Sequence, residues 1–190
     1  MPTESLKPEY FDRLYAENPD PWSFATSEYE RRKYDDTLAA LAPQYATALE
    51  IGCSVGVLTA QLAPRCEDLL AVDVSARALA AARDRCADFP QVRFAQASLP
   101  ADFPAETFDL VLVSEVAYYW SDDDFARALD AIAGALPIGG DLLLVHFLPH
   151  VDDYVRDGDA VHERFLADPR FTHVHGHRAD RYRLDLLRRA

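Results

Sequence analysis

Seven consecutive residues carry the clearest chemical signal: Glu50-Ile51-Gly52-Cys53-Ser54-Val55-Gly56. Glycines in a turn between a strand and a helix let a ligand approach the backbone closely, and the helix start offers free N–H groups. Turns that hold a dinucleotide pyrophosphate usually read G-x-G-x-x-G. Here the spacing is G-x-x-x-G with Glu50 two residues ahead, which better suits the ammonium end of an amino acid. Read alone, the segment is equally consistent with a tight turn that binds nothing. The next apolar run ends in Asp73-Val74. A carboxylate at the carboxyl tip of the second parallel strand can accept both ribose hydroxyls of an adenosyl ligand. The conjunction of the two features points to such a ligand more strongly than either does.

The elements that must position these residues alternate regularly. Short apolar runs at 47–52, 68–74, 92–98, 108–116 and 141–147 read as strands. Helical segments at 57–64, 75–89 and 122–136 separate them, with Ser75 as an N-cap and Asp122, Asp123 and Asp124 at the positive end of the third. Such alternation predicts a mostly parallel α/β sheet. The last segments, 170–177 and 180–189, read as an antiparallel pair at one end of it. Residues 1–45 differ: aromatic residues surround the turn-rich Glu17-Asn18-Pro19-Asp20-Pro21-Trp22, and a helix is expected from Ser27, with Glu30 at the capping-box spacing, to about Leu41. The expected division is an N-terminal helical cap over 1–45 and a ligand-binding domain over 46–190.

Composition bounds the function. The 190 residues are 49% hydrophobic and 27% charged, an ordinary globular balance with no run long enough to span a bilayer. The N-terminus lacks a signal-peptide core, so a cytoplasmic location is expected. Cys53, Cys66 and Cys86 fit reduced, buried thiols without zinc spacing. A net charge of −13 disfavours nucleic acid and anionic membrane as partners. The basic candidates, Arg31-Arg32-Lys33 and the tail arginines 178, 181, 183, 188 and 189, read as a solvated face. His173, His175 and His177 would share one strand face, but Gly176 interrupts them and no metal site is expected.

With these motifs in order, residues 45–147 resemble class I S-adenosylmethionine-dependent methyltransferases. Leu49–Thr59 resembles the family's first motif, with Ser54 where a third glycine is usual. Leu69–Ser75 resembles the acidic ribose-binding strand end. Phe94–Pro100 resembles the third-strand motif, with Ser98 where an aspartate often holds the adenine amino group. Phe108–Trp120 resembles the fourth motif, near the methyl group. More narrowly, Asp20-Pro21-Trp22, Tyr29-Glu30-Arg31, Leu49–Cys53 and Ser114–Tyr119 resemble the NodS (nodulation N-methyltransferase) family, whose named substrate is an amino group on a deacetylated chito-oligosaccharide.

The resemblance implies a Rossmann-like seven-stranded sheet, S-adenosyl-L-methionine as cofactor with S-adenosyl-L-homocysteine as product, and a small acceptor, an amine before a hydroxyl. Implied cofactor contacts are Glu50, Gly52, Cys53, Ser54, Gly56, Asp73, Val74, Ser98, Ser114 and Glu115; from the aromatic N-terminus, Trp22 could cover the sulfonium or the bound acceptor or simply pack, and Arg31 could meet the methionine carboxylate or stay solvated. Methyl transfer mainly requires alignment, water exclusion and an unprotonated amine. Glu115 could hold the amine or take its proton, or serve only as a structural contact. Tyr118, Tyr119 and Trp120 could face the acceptor or pack. His146 is a second acid–base candidate or a core histidine. His150, Asp152, Asp153 and Tyr154 would set acceptor specificity. A non-catalytic adenosyl-binding protein, an NAD-dependent oxidoreductase and a nucleic-acid methyltransferase are the rival readings; the missing G-x-G-x-x-G and the acidic charge speak against the last two.

Overall fold

The computed structural model describes residues 3–190, so the first two residues of the expected N-terminal cap lie outside it. Two helices, α1 (Pro8–Glu17) and α2 (Glu28–Ala40), precede the first strand. The strands are β1 (Tyr45–Ile51), β2 (Cys66–Asp73), β3 (Val92–Gln96), β4 (Leu110–Ser114) and β5 (Asp141–Phe147), then β6 (Phe171–Arg178) and β7 (Tyr182–Arg189). Helices α3 (Val57–Leu62), α4 (Ala76–Arg85), α5 (Asp122–Ala135) and α6 (Gly158–Leu166) connect them. One sheet forms in the order β3-β2-β1-β4-β5-β7-β6. The first five strands are parallel, and β7 runs antiparallel to both β5 and β6. The chain reverses its direction across the sheet between β1 and β4, where open α/β sheets offer a crevice at their carboxyl edge.

Local chemistry explains the elements. Leu110–Ser114 is buried along its whole length, as a central strand covered on both faces must be. Phe125, Ala128, Ile132 and Ala135 recur at helical spacing on α5 and turn one face to the core. Ser27, Ser75 and Ser121 each accept an N–H three residues on and so start α2, α4 and α5. Two helices are not in the sequence expectation. One is α1, whose single fully buried residue is Tyr15; the other is α6, capped by Asp157 in what reads as a loop.

α6 changes the meaning of His146. The strand turns Phe147 toward the cleft at the sheet edge and His146 into the core, where both His146 and His162 of α6 are fully buried. The Ala117 N–H donates to His146 Nε2 at 3.3 Å, so His146 Nδ1 carries its proton and donates to His162 Nε2 at 3.2 Å. His162 Nδ1 then donates to Asp185 at 2.6 Å, and Asp185 also accepts from His173 and Arg183. His146 is therefore a structural histidine in a directed chain, not an acid–base group at the cleft. The row of histidines on β6 is broken by a register shift between His173 and His175; His173 faces Asp185 and His177 lies 3.7 Å from Asp36.

Burial pushes the pKa of both core imidazoles down, and at His162 it outweighs the opposing Asp185. An imidazole depressed in the fold is protonated first in the unfolded chain, so its contribution is intact above about pH 6.5 and lost as pH falls below it. Glu50, a carboxyl raised by burial, works in the opposite direction over the same window. The difference between wild type and variant isolates the histidines. The urea midpoint of wild type should fall more steeply between about pH 7.5 and about pH 5.5 than that of His162→Asn. Parallel profiles would contradict the assignment.

Candidate active site

A cleft of about 360 Å³ opens at the carboxyl ends of β1, β2 and β4, beneath α1, α2 and the turn between them. Its floor is the turn after β1. Gly52 has φ +85° there, and a Cβ on it would come within 2.8 Å of the Ser114 carbonyl oxygen and 2.3 Å of Val116. Glycine at this position lets the backbone reach the floor without displacing the end of β4. Ser54 follows at φ +49°, a left-handed conformation that favours glycine, and thus stands where relatives of the motif carry one. Two hydrogen bonds hold it: its N–H donates to Asp73 at 2.9 Å, and its hydroxyl lies 2.6 Å from that of Tyr15.

Asp73, at the tip of β2, lines the cleft and accepts the N–H groups of Ser54 and Ser75, both at 2.9 Å. Each carboxylate oxygen keeps a further lone pair. Burial raises its pKa while those N–H groups counter the rise. Glu50 is buried behind the Gly52 turn with one carboxylate oxygen unpartnered. Burial pushes its carboxyl up to about 7, and the Asp73 carboxylate adds to the rise. Val74, Ser98 and Ser114 also line the cleft, although the Ser98 N–H is already taken by Asp102. Trp22 lines it too, edge-on to Tyr15 and stacked on Phe24.

Glu50 thus stands behind the cleft rather than in its lining, and three further expected contacts lie elsewhere. Gly56, φ +77°, starts α3 and sits so close to α4 that a Cβ would meet Ala82 at 2.9 Å; its smallness serves helix packing. Cys53 is buried behind the turn against Ala71 and Leu79. Arg31 is exposed on the outer face of α2, where it pairs with Glu28 and Asp35. Helical geometry accounts for the last: the inward positions are Glu30, Lys33, Tyr34 and Thr37, three and four residues apart, and Arg31 falls off that stripe. His150 is likewise exposed and faces Asp152.

Lys33 is the residue that the sequence reading passed over as part of a solvated basic run. It is 2% exposed, 2.8 Å from Glu30 and 2.5 Å from Glu115. Burial works against its charge, but attraction to Glu115 and Glu30 prevails and holds its pKa above the ordinary lysine value. Glu30 is raised by burial despite Lys33. The signal was available in the stripe of positions 30, 33, 34 and 37.

Glu115 ends β4 at φ +57°. Its carboxylate accepts from Lys33, from the Tyr118 hydroxyl at 2.6 Å and from the Phe147 N–H at 2.9 Å. Tyr118 is buried and stacks on Tyr154, ring centres 4.2 Å apart, with Tyr119 edge-on to both. Tyr29, Phe147 and Arg181 complete this half of the cleft. The N-terminal segment closes over the other half: the Leu6 N–H donates to the Tyr119 carbonyl, and the Ser75 hydroxyl donates to Asp12 of α1. The arrangement offers carboxylates to a nucleoside–amino-acid ligand on one side and an aromatic, carboxylate-bearing chamber on the other.

Residues 11–144 match the family described as Nodulation protein S (NodS). The chain is 36% identical to Nodulation protein S of Bradyrhizobium diazoefficiens over 105 residues, covering 54% of this chain and 50% of that protein. It is also 36% identical to an uncharacterized methyltransferase of Mycobacterium tuberculosis over 117 residues, 60% of this chain and 58% of that protein. The chain spans about half the length of the curated nodulation relatives it matches. Among solved structures, the N-methyltransferase NodS from Bradyrhizobium japonicum in complex with S-adenosyl-L-homocysteine superposes with TM-score 0.83 at 26% identity, covering 95% of this chain and 97% of that one. The family match extends over well more than half of the sequence, and the chain belongs to the NodS family.

Proposed function

We propose that the chain is an S-adenosylmethionine-dependent methyltransferase acting on the amine nitrogen of a small acceptor, with amino sugars as the first class to examine. The observation that carries this reading is the pairing of the Gly52 turn with the cleft-facing Asp73 at the point where strand order reverses. The residues fit the cofactor. A backbone cradle stands where a Cβ would intrude, Asp73 has lone pairs left for ribose hydroxyls, and Glu50 has an orphaned oxygen behind the amino-acid end. Family membership and the bound product in the NodS structure support the same cofactor. The acidic charge fits a small acceptor better than nucleic acid.

When bound, S-adenosylmethionine supplies an electrophilic methyl group. The protein's part is alignment and water exclusion, and alignment alone can supply about 7–11 kcal/mol of a transfer barrier. Asp73 holds the ribose, while Val74 and Ser98 flank the base. Trp22, Phe24 and Tyr15 cover the cleft as residues of the N-terminal cap and keep water from the transfer line. Glu115 accepts an N–H of the acceptor amine, which turns the nitrogen lone pair toward the methyl carbon. Its remaining acceptor capacity is on the oxygen facing Lys33, since Tyr118 and Phe147 already donate to the other. Tyr118 and Tyr154 form the wall against which the acceptor lies.

Two outcomes test the cofactor half. Calorimetric titration with S-adenosyl-L-homocysteine should show one site, and Asp73→Ala should weaken it by about 1–3 kcal/mol; unchanged affinity would remove Asp73 from the ribose. Because burial pushes the Glu50 carboxyl up to about 7, an ammonium placed over the Gly52 turn in front of it stabilises the charged form and lowers that value. Binding near neutral pH should then release protons, read as a dependence of the heat on buffer ionisation, and Glu50→Gln should abolish the release. Proton uptake, or release that survives in the variant, would contradict the placement.

A further inference from the structure

Among the described residues two cations line the cleft, and they are in opposite states. Lys33 is enclosed by Glu30 and Glu115. Arg181 comes from the turn between β6 and β7, far away in sequence, and stands exposed at the cleft mouth. Its guanidinium carbon lies 4.7 Å from the ring centre of Tyr29 and 5.2 Å from that of Phe147. Its carbonyl accepts from the Leu148 N–H at 2.9 Å and from the Tyr29 hydroxyl at 3.3 Å, which pins the turn to the end of β5 and the start of α2. The neighbouring tail arginines differ: Arg178 and Arg183 both pair with Asp159, and Arg188 pairs with Asp141. Among the described residues no carboxylate comes within ion-pair distance of Arg181.

A guanidinium laid against aromatic faces keeps its in-plane N–H groups unspent, and that fork matches a carboxylate or phosphate in bidentate fashion. Stacking also fixes its orientation, so little freedom remains to be lost on binding. In a chain with a net charge of −13, an unpaired cation at the rim of a cleft that also holds Asp73, Glu30 and Glu115 selects by charge.

We propose that Arg181 is a specificity-determining residue, and that the acceptor carries an oxyanion, carboxylate or phosphate, in addition to its amine. The amine faces Glu115 and the oxyanion faces Arg181, so a zwitterionic acceptor meets a group of opposite sign at each end. This assignment rests on the methyltransferase reading above.

The test uses the full chain saturated with S-adenosyl-L-homocysteine and two matched probe pairs: glucosamine with glucosamine 6-phosphate, and tyramine with tyrosine. The anionic member of at least one pair should bind about tenfold or more tighter than its partner. The pair that shows the preference identifies the oxyanion as phosphate or carboxylate. Arg181→Gln should erase the preference while affinity for S-adenosyl-L-homocysteine stays unchanged, and Arg181→Lys should restore it in part. Equal affinity within both pairs, absence of any probe binding, or a preference that survives in Arg181→Gln would overturn the proposal. So would weaker binding of S-adenosyl-L-homocysteine to Arg181→Gln, since Arg181 would then read the cofactor's own carboxylate. Failure of the methyltransferase reading looks different: wild type would not bind S-adenosyl-L-homocysteine before any probe is added.

Discussion

A buried ammonium, that of Lys33, lies between two carboxylates from different parts of the fold, Glu30 on its own helix and Glu115 at the end of β4. Breaking such an arrangement by removing one partner costs about 3–5 kcal/mol, because a charge is left in the interior without compensation. The triad therefore ties α2 to the sheet. Glu115 extends the tie to β5 through the Phe147 N–H and to its own turn through Tyr118. The left-handed backbone at Glu115 is held against its intrinsic preference by these bonds. A side chain that fastens three elements and still lines the cleft cannot be altered for chemistry without consequences for shape.

Around that fastening, the charges are graded across the cleft. Asp73 and Glu50 sit deep on the side of β1 and β2, where burial raises both and only Asp73 is relieved by backbone N–H groups. Arg181 sits at the mouth, unpaired and oriented by Tyr29 and Phe147. The cationic end of the donor and the proposed anionic end of the acceptor would each meet residues already held by neighbouring side chains and backbone. Preorganisation of this sort keeps the cost of ordering low at the moment of binding.

Much of the fold was legible because the signals were local. Apolar runs of strand length alternated with capped helices, and the strand order places the Gly52 turn and Asp73 at a single edge of the sheet. What escaped was set by tertiary contacts. Helix α6 begins at a glycine after a loop-like stretch, so neither its existence nor its covering of His146 could be read from periodicity. Arg31 and Lys33 are two residues apart and look interchangeable in a basic run, yet a helix turns them to opposite sides. The stripe formed by Glu30, Tyr34 and Thr37 marks Lys33 as inward. Gly56 resembles a ligand-binding glycine by spacing, and only the approach of Ala82 shows that it makes room for a helix. Arg181 carried no sequence signal, because its aromatic partners come from α2 and β5.

An adenosyl ligand in the cleft would lay its ribose on Asp73 and its amino-acid end over the Gly52 turn. A crystal structure of the chain grown with S-adenosyl-L-homocysteine tests this placement most directly. Both ribose hydroxyls should lie within hydrogen-bond distance of the Asp73 carboxylate, with the homocysteine sulfur directed toward Glu115 and Tyr118. Density for the ligand elsewhere, or a cleft that stays empty at saturating ligand, would contradict it.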